Sequence, residues 1–280
     1  MIDSILDGLI DTIKIIPYLF IVFLILECIE HKFSNKDKKI LSKNQKLGPL
    51  FGSLLGALPQ CGFSAMGANL FSRKVITTGT LIAIFLSTSD EMLAIMISQK
   101  APVLEVLKII GIKVLIGIIF GYIIDLLLRK KNVIKTHEIH KMCDEENCHR
   151  EEDGILKSSI KHTLNIVIFI LVVNIGINLL IHFIGEDALS NFLNQGGILS
   201  YFAASLIGLI PNCASSVIIT QVYLLKLISF GTLLSGLLTG SGLGILLLFR
   251  LNKNMKENIQ ILIIIYFIGV FVGILADLLI

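Results

Sequence analysis

A single offset of 152 positions runs through this chain. Leu58-Pro59-Gln60-Cys61-Gly62-Phe63-Ser64 returns as Ile210-Pro211-Asn212-Cys213-Ala214-Ser215-Ser216. At the same offset Gly48, Gly52 and Gly56 fall on Ser200, Ala204 and Gly208, and Gly79-Thr80-Leu81 falls on Gly231-Thr232-Leu233. Gly117, Gly121 and Asp125-Leu126-Leu127 fall on Gly269, Gly273 and Asp277-Leu278-Leu279. Isolated glycine and leucine matches are cheap in an apolar chain, but one ungapped offset held from position 48 to 128 is not. The chain is an internal duplication, so its fold must be one that two copies of a single unit can build.

The solvent of that fold follows from composition. Hydrophobic residues make up 54% of the chain and its mean hydropathy is +0.85, too apolar for an ordinary soluble protein. Apolar stretches at 13–29, 48–71, 75–97, 103–128, 163–184, 198–225, 227–249 and 259–280 each come near the ~20 residues that span a bilayer. The first is preceded by Asp3, Asp7 and Asp11 and by no basic segment, so it reads as a membrane helix rather than a cleaved signal. The expected fold class is an all-α polytopic membrane protein.

Charge placement orients it. The loop 32–47 carries Lys32, Lys36, Lys38, Lys39, Lys43 and Lys46 against Asp37 alone, which makes it cytoplasmic and puts the N-terminus outside. Its counterpart, 185–197, has Glu186 and Asp187 with no Lys or Arg, and is expected outside. Equivalent loops on opposite faces make the two halves inverted-topology repeats. Inversion needs an odd number of crossings per half, so one of the four apolar stretches must turn back. The Pro-Cys segment suits this role. Residues 48–58 form roughly 16 Å of helix, about half the hydrocarbon thickness. Pro59 then disfavours helix before it, and Gly62 permits a turn. The segment 63–71 returns toward Arg73-Lys74, giving a re-entrant Pro-Cys helical hairpin in each half. The expected organisation is membrane repeat 1 at 1–128, a cytoplasmic linker at 129–161 and the inverted membrane repeat 2 at 162–280, with the C-terminus outside.

Two further features carry chemistry. The apolar run 75–97 is interrupted by Ser87-Thr88-Ser89-Asp90-Glu91, and its repeat partner by Thr239-Gly240-Ser241-Gly242. Polar and glycine-rich breaks at matching mid-membrane positions point to a transporter binding site made of broken helices. Carboxylates at that depth are costly unless paired or hydrated. Asp90 and Glu91 are therefore read as functional, with a salt bridge to Lys108 or Lys113 as the structural alternative. Asp125, four residues before Arg129, reads as structural. The linker holds eight Lys or Arg, seven acids and, within 13 residues, His137, His140, Cys143, Cys148 and His149. Imidazoles and thiols at these spacings suit thiophilic ions such as Zn²⁺ or Cu⁺. They match no zinc-finger spacing, and His137 and His140 are one residue too close for the metalloprotease helix pattern.

The paired Pro-x-Cys segments, the Ser-Thr-Ser-Asp-Glu break, the duplication and the His/Cys linker resemble the ten-helix heavy-metal exporters, a family also labelled arsenic efflux proteins or manganese transporters. Counting each half of the two hairpins separately gives ten segments. The resemblance implies an efflux permease. The residues alone leave two readings open. One is a secondary-active permease exporting a divalent or soft metal ion by proton exchange. The other is a transporter of an anion or small organic solute such as an arsenical, favoured by the positive helix N-termini after Pro59-Gln60 and Pro211-Asn212. An intramembrane aspartyl protease is a third class, set aside because Asp125 and Asp277 lack a Gly-x-Gly-Asp setting. No nucleotide-binding motif is present, and no enzyme activity is expected.

The residues expected to line the substrate site are Gln60, Cys61, Ser64, Ser87, Ser89, Asp90, Glu91, Asn212, Cys213, Ser215, Ser216, Thr239 and Ser241. Metal ligation is expected from Asp90, Glu91, Cys61 and Cys213 in the membrane and from His137, His140, Cys143, Cys148 and His149 in the linker. No cofactor is expected, a transition-metal ion being substrate or linker ligand. The expected partners are the lipid bilayer, the metal ion or small solute, protons as coupling ion and a second copy of the chain, with no nucleic acid. The expected location is the cell membrane.

Overall fold

The structure is a computed structural model that describes residues 47–58, 61–89, 92–128 and 197–279, with single helical positions at 16, 20, 164, 167, 168, 171, 172 and 175. Every regular element among the described residues is a helix. The first half supplies α1 (Gly48–Gly56), α2 (Cys61–Ser72), α3 (Thr78–Ser87), α4 (Met92–Ser98) and α5 (Val103–Leu127). The second supplies α6 (Ile198–Gly208), α7 (Cys213–Leu224), α8 (Phe230–Thr239), α9 (Leu243–Leu251) and α10 (Met255–Leu279). Helices α2, α3 and α5 recur as α7, α8 and α10 with both ends displaced by the same 152 positions that relate the sequences. Helix α2 begins at Cys61, so Gly62, expected at a turn, sits in its first helical turn.

The start of α3 is fixed twice over, and α8 repeats the device. Thr77 and Ser229, at the N-cap positions, accept hydrogen bonds from Thr80 N (3.2 Å) and Thr232 N (3.1 Å). A carboxylate from the far end of the half's last helix adds to each. Asp125 of α5 accepts from Gly79 N at 2.9 Å and from Thr77 Oγ1 at 2.7 Å. Asp277 of α10 accepts from Gly231 N at 2.7 Å, from Tyr201 Oη at 2.7 Å and from Ser229 Oγ. Negative charge at a helix N-terminus meets both the orphan N–H groups and the macrodipole. The expected pairing of Asp125 with Arg129 lies outside the described residues.

These caps set α3 antiparallel to α5, and small residues let the two backbones close. A Cβ on Gly117 would stand 2.9 Å from Ala83 O, and one on the equivalent Gly269 2.8 Å from Ser235 O. Along α3, α1 runs in the same direction, with Gly48 against Thr80 and Gly56 against Ile84 and Ser87. Helix α2 runs the opposite way, bringing Gly67 against Ile84 and Leu81. In the second half, α6 follows α8 with Ser200 beside Thr232 (3.0 Å) and Gly208 against Gly236 and Thr239.

The halves then exchange parts. Helix α9 packs on α2 of the first half and α4 on α7 of the second. One apolar core accordingly joins Phe71, Phe85, Leu247 and Ile265, and the other joins Met92, Ile109, Ile219 and Leu234. Three spans among the described residues are long and apolar enough to cross a bilayer: Thr78–Ser98, Phe230–Leu251 and Met255–Leu279. The outer faces carry large apolar side chains such as Leu104, Phe267 and Phe271, as a lipid-facing surface requires. The chain is a multi-pass membrane protein.

Candidate functional site at the two helix breaks

Two of the three spans contain a break. Helix α3 ends at Ser87 and Thr88 leaves the helical region at φ −53° and ψ 124°. Helix α8 ends at Thr239, and Gly242 takes φ +51°, a left-handed conformation that glycine adopts without steric cost. A helix that stops inside an apolar span strands its last carbonyls where no lipid can meet them. Side-chain hydroxyls at these ends turn back onto their own helices. Ser87 Oγ donates to Ala83 O at 2.8 Å, Thr88 Oγ1 to Ile84 O at 2.7 Å, and Thr239 Oγ1 to Gly236 O at 2.9 Å.

The stranded carbonyls receive a cation. Lys113 comes from the middle of α5, is 1% exposed, and directs Nζ to Thr88 O and, at 2.8 Å, to Leu237 O. One ammonium thus ties the end of α3 to the end of α8, across the boundary between the halves. Carbonyls at a helix C-terminus carry the negative end of the dipole, which is the right sign for this contact. Beside it lies an opposite case. Ser241 Oγ is fully buried in the α8–α9 break and, among the described residues, has no hydrogen-bond partner. A buried hydroxyl without a partner costs about 1–3 kcal/mol, a cost that a ligand or water bound there would offset. Gly244 brings the start of α9 close to α2 here. A Cβ on it would lie 2.7 Å from Phe85 Cε1 and 2.9 Å from Ser64 Cβ.

Of the residues expected to line a site, Ser87, Ser89, Thr239 and Ser241 lie at the two breaks and Ser64 lies on α2 beside Gly244; all are buried, with Ser87 Oγ against Gly56 of α1 and Thr239 Oγ1 against Gly208 of α6. Ser89 Oγ donates to Ser87 O at 3.3 Å. Asn212 is buried and caps α7 through Ala214 N at 3.4 Å, while Ser215 Oγ donates to Asn212 O at 2.8 Å within the same turn. Ser216 is buried one turn into α7, where its carbonyl accepts from Thr220 Oγ1 at 2.7 Å. Cys61 and Cys213 open α2 and α7, their side chains outside the described part. Gln60, Asp90, Glu91 and the linker residues His137, His140, Cys143, Cys148 and His149 also lie outside it. Among the described residues no three His, Cys, Asp or Glu side chains gather to hold a metal. Of the two lysines weighed as partners for the acids, Lys108 places Nζ 4.9 Å over the Phe230 ring, and only Lys113 reaches the break.

Lys113 is the site residue that the sequence reading undervalued. The signal was available: 152 positions on stands Ile265, so the charge is unmatched in the repeat. A cavity of about 150 Å³ lies elsewhere, at the starts of α6 and α8 beside Tyr201 and Ser229, and does not open onto the breaks.

A family model described as "Putative, 10TM heavy-metal exporter" matches residues 1–184. No curated protein and no solved structure matches the chain.

Proposed function

The chain belongs to this heavy-metal exporter family, and from that premise we propose that it is a secondary-active permease that carries a divalent or soft metal ion out of the cell in exchange for protons. The observation that carries the reading is the joining of two helix breaks from opposite halves through Lys113, with the buried, unpartnered Ser241 Oγ at one of them. Metal and proton compete for Asp90 and Glu91, which follow Thr88-Ser89 after the end of α3; a proton held there is released when the cation binds. Cys61, Cys213 and Gln60, at or next to the starts of α2 and α7, favour soft ions through thiol and amide ligands. His137, His140, Cys143, Cys148 and His149 form a separate metal-binding element in the cytoplasmic linker 129–161.

Alternating access comes from inverted halves, 1–128 and 162–280, with both termini outside. Support for inversion lies in the contacts at the helix ends. Lys74, just before α3, pairs with Glu257 at the start of α10 at 3.1 Å. From Glu257 helix α10 runs about 30 Å, at 1.5 Å per residue, to Asp277, which caps the start of α8. A separation near the thickness of the hydrocarbon core supports the reading that the starts of α3 and α8 lie on opposite faces. Support for re-entrant hairpins is the advance of α1 along α3 and the return of α2 along it, each only about half a span long.

An anion or arsenical is the second reading, favoured by the buried Lys113 and the Asn212-capped start of α7. Flux into proteoliposomes with internal pH recording decides between them, using Mn²⁺, Zn²⁺, Cd²⁺ and arsenite as probes. Metal uptake that moves protons, and that Asp90→Asn or Glu91→Gln abolishes or uncouples, is the expected result. Ser241→Ala lowers metal affinity and leaves folding intact. Arsenite flux without metal flux, or unchanged proton coupling in both carboxamide variants, overturns the metal–proton reading.

A further inference from the structure

The unmatched lysine at the breaks requires a reason beyond packing. A charged side chain in mid-membrane is expensive. The second half shows that the frame closes without it, since Ile265 fills the equivalent place on α10 and is fully buried in an apolar core. At the first break the ammonium instead occupies a position a bound cation would take. Backbone carbonyls from two converging helix ends, Thr88 O and Leu237 O, both face it. The acceptors belong to different halves, so the contact exists only while the two ends remain together. The chain continues from Thr88 directly into Ser89-Asp90-Glu91, which puts the proposed cargo ligands within a few residues of the same charge.

We infer that Lys113 is a resident counter-cation of the cargo site: its ammonium holds the converging carbonyls of α3 and α8 when no metal is bound, and its fixed charge weakens metal binding enough for release. This rests on the metal-export reading and adds to it a residue that sets affinity. An exporter must let its cargo go as well as capture it, and a tethered positive charge beside the site destabilises every bound cation without contacting it. A unit charge within several ångströms of a divalent ion, at an effective dielectric constant of about 20, changes its binding by roughly tenfold or more.

The test separates charge from hydrogen bonding. Lys113→Met removes both and leaves two carbonyls unmet, so it is the variant most prone to misfolding. Lys113→Gln keeps an N–H donor and removes the charge, while Lys113→Arg keeps the charge. Equilibrium binding of Mn²⁺ and Cd²⁺ to the full chain in nanodiscs is measured for wild type, Lys113→Gln and Lys113→Arg, each shown to be monodisperse and cooperatively melting. Expected is binding at least roughly tenfold tighter in Lys113→Gln, with slower turnover in liposomes, and binding near wild type in Lys113→Arg. Equal or weaker metal binding in Lys113→Gln, with wild type still binding, overturns the counter-cation role and leaves metal export standing. If neither wild type nor Lys113→Gln binds either metal, the export reading falls and this inference falls with it.

Discussion

The carboxylate caps offer a quantitative test, because the duplication supplies its own control. Asp277 accepts three hydrogen bonds, from Gly231 N, Tyr201 Oη and Ser229 Oγ, whereas the contacts of Asp125 with α3 are two, from Gly79 N and Thr77 Oγ1. The extra bond exists because Tyr201 stands where the first half has Pro49, which has no donor to offer. Bonds to a charged acceptor contribute about 1.5–3 kcal/mol each in water-soluble proteins, yet interhelical bonds in membranes average nearer 0.6. Both sites are partly buried near a helix end, so values of about 1 kcal/mol per bond are reasonable. Loss of these bonds to the starts of α8 and α3 is then expected to contribute about 3 kcal/mol to the cost of Asp277→Ala and about 2 to that of Asp125→Ala. The difference of about 1 kcal/mol should reappear as the cost of Tyr201→Phe in the wild-type background and vanish in the Asp277→Ala background. Reversible unfolding in mixed bicelles measures wild type and the four variants. If Asp277→Ala lies within about 0.5 kcal/mol of wild type, or Tyr201→Phe costs as much without Asp277 as with it, the caps do not hold these helices.

Two shorter tests address packing and orientation. Gly244→Ala forces a methyl against Phe85 and Ser64 and should cost about 1–3 kcal/mol, while Gly111→Ala, with nothing within 4 Å, should be neutral or gain up to about 1; thermal melting of the two variants checks this. In a version without native cysteines, a cysteine at position 190 should react with an impermeant reagent in intact cells and one at position 40 only after permeabilisation; labelling of both from one side contradicts the inverted halves.

The periodic parts of the fold were legible in the sequence and the joints between them were not. The 152-residue offset anticipated helix ends as well as residue matches, because Gly79, Gly117 and Gly121 mark places where backbones touch. The same offset picked out Asp125 and Asp277 but not their work. Spacing along one helix pointed to Arg129, which lies outside the described residues; it could not show the partners 46 and 48 residues away that Asp125 takes across a tertiary contact. The exchange of α9 onto α2 and α4 onto α7 is likewise long-range and leaves no local pattern. At the site, the breaks at Ser87 and Thr239 fell where polar residues interrupt the apolar runs. Sequence could not say that both hydroxyls would turn back onto their own helices, nor that Lys113 would cross to Leu237.

On the proposed inverted arrangement, what differs between the halves matters as much as what repeats. Exchange of conformations between two equivalent halves converts an inward-facing state into an outward-facing one, so a symmetric frame gives the two states similar energies. The shared caps, glycine contacts and cross-packed helices supply that frame. The departures from it are mostly polar or charged. Lys113 opposes Ile265, and Asp90-Glu91 opposes Gly242-Leu243. Tyr201 opposes Pro49 at the caps. At the outer ends, the Lys74–Glu257 ion pair of 3.1 Å has as its counterpart the hydrogen bond from Tyr223 Oη to Glu105 Oε1, at 2.5 Å. An ion pair and a phenol–carboxylate bond respond differently to salt. On the proposed mechanism, cargo charge acts on the same balance when it binds Asp90 and Glu91. Direction of transport would then reside in these few unmatched residues, and the repeated ones would make the motion cheap in either direction.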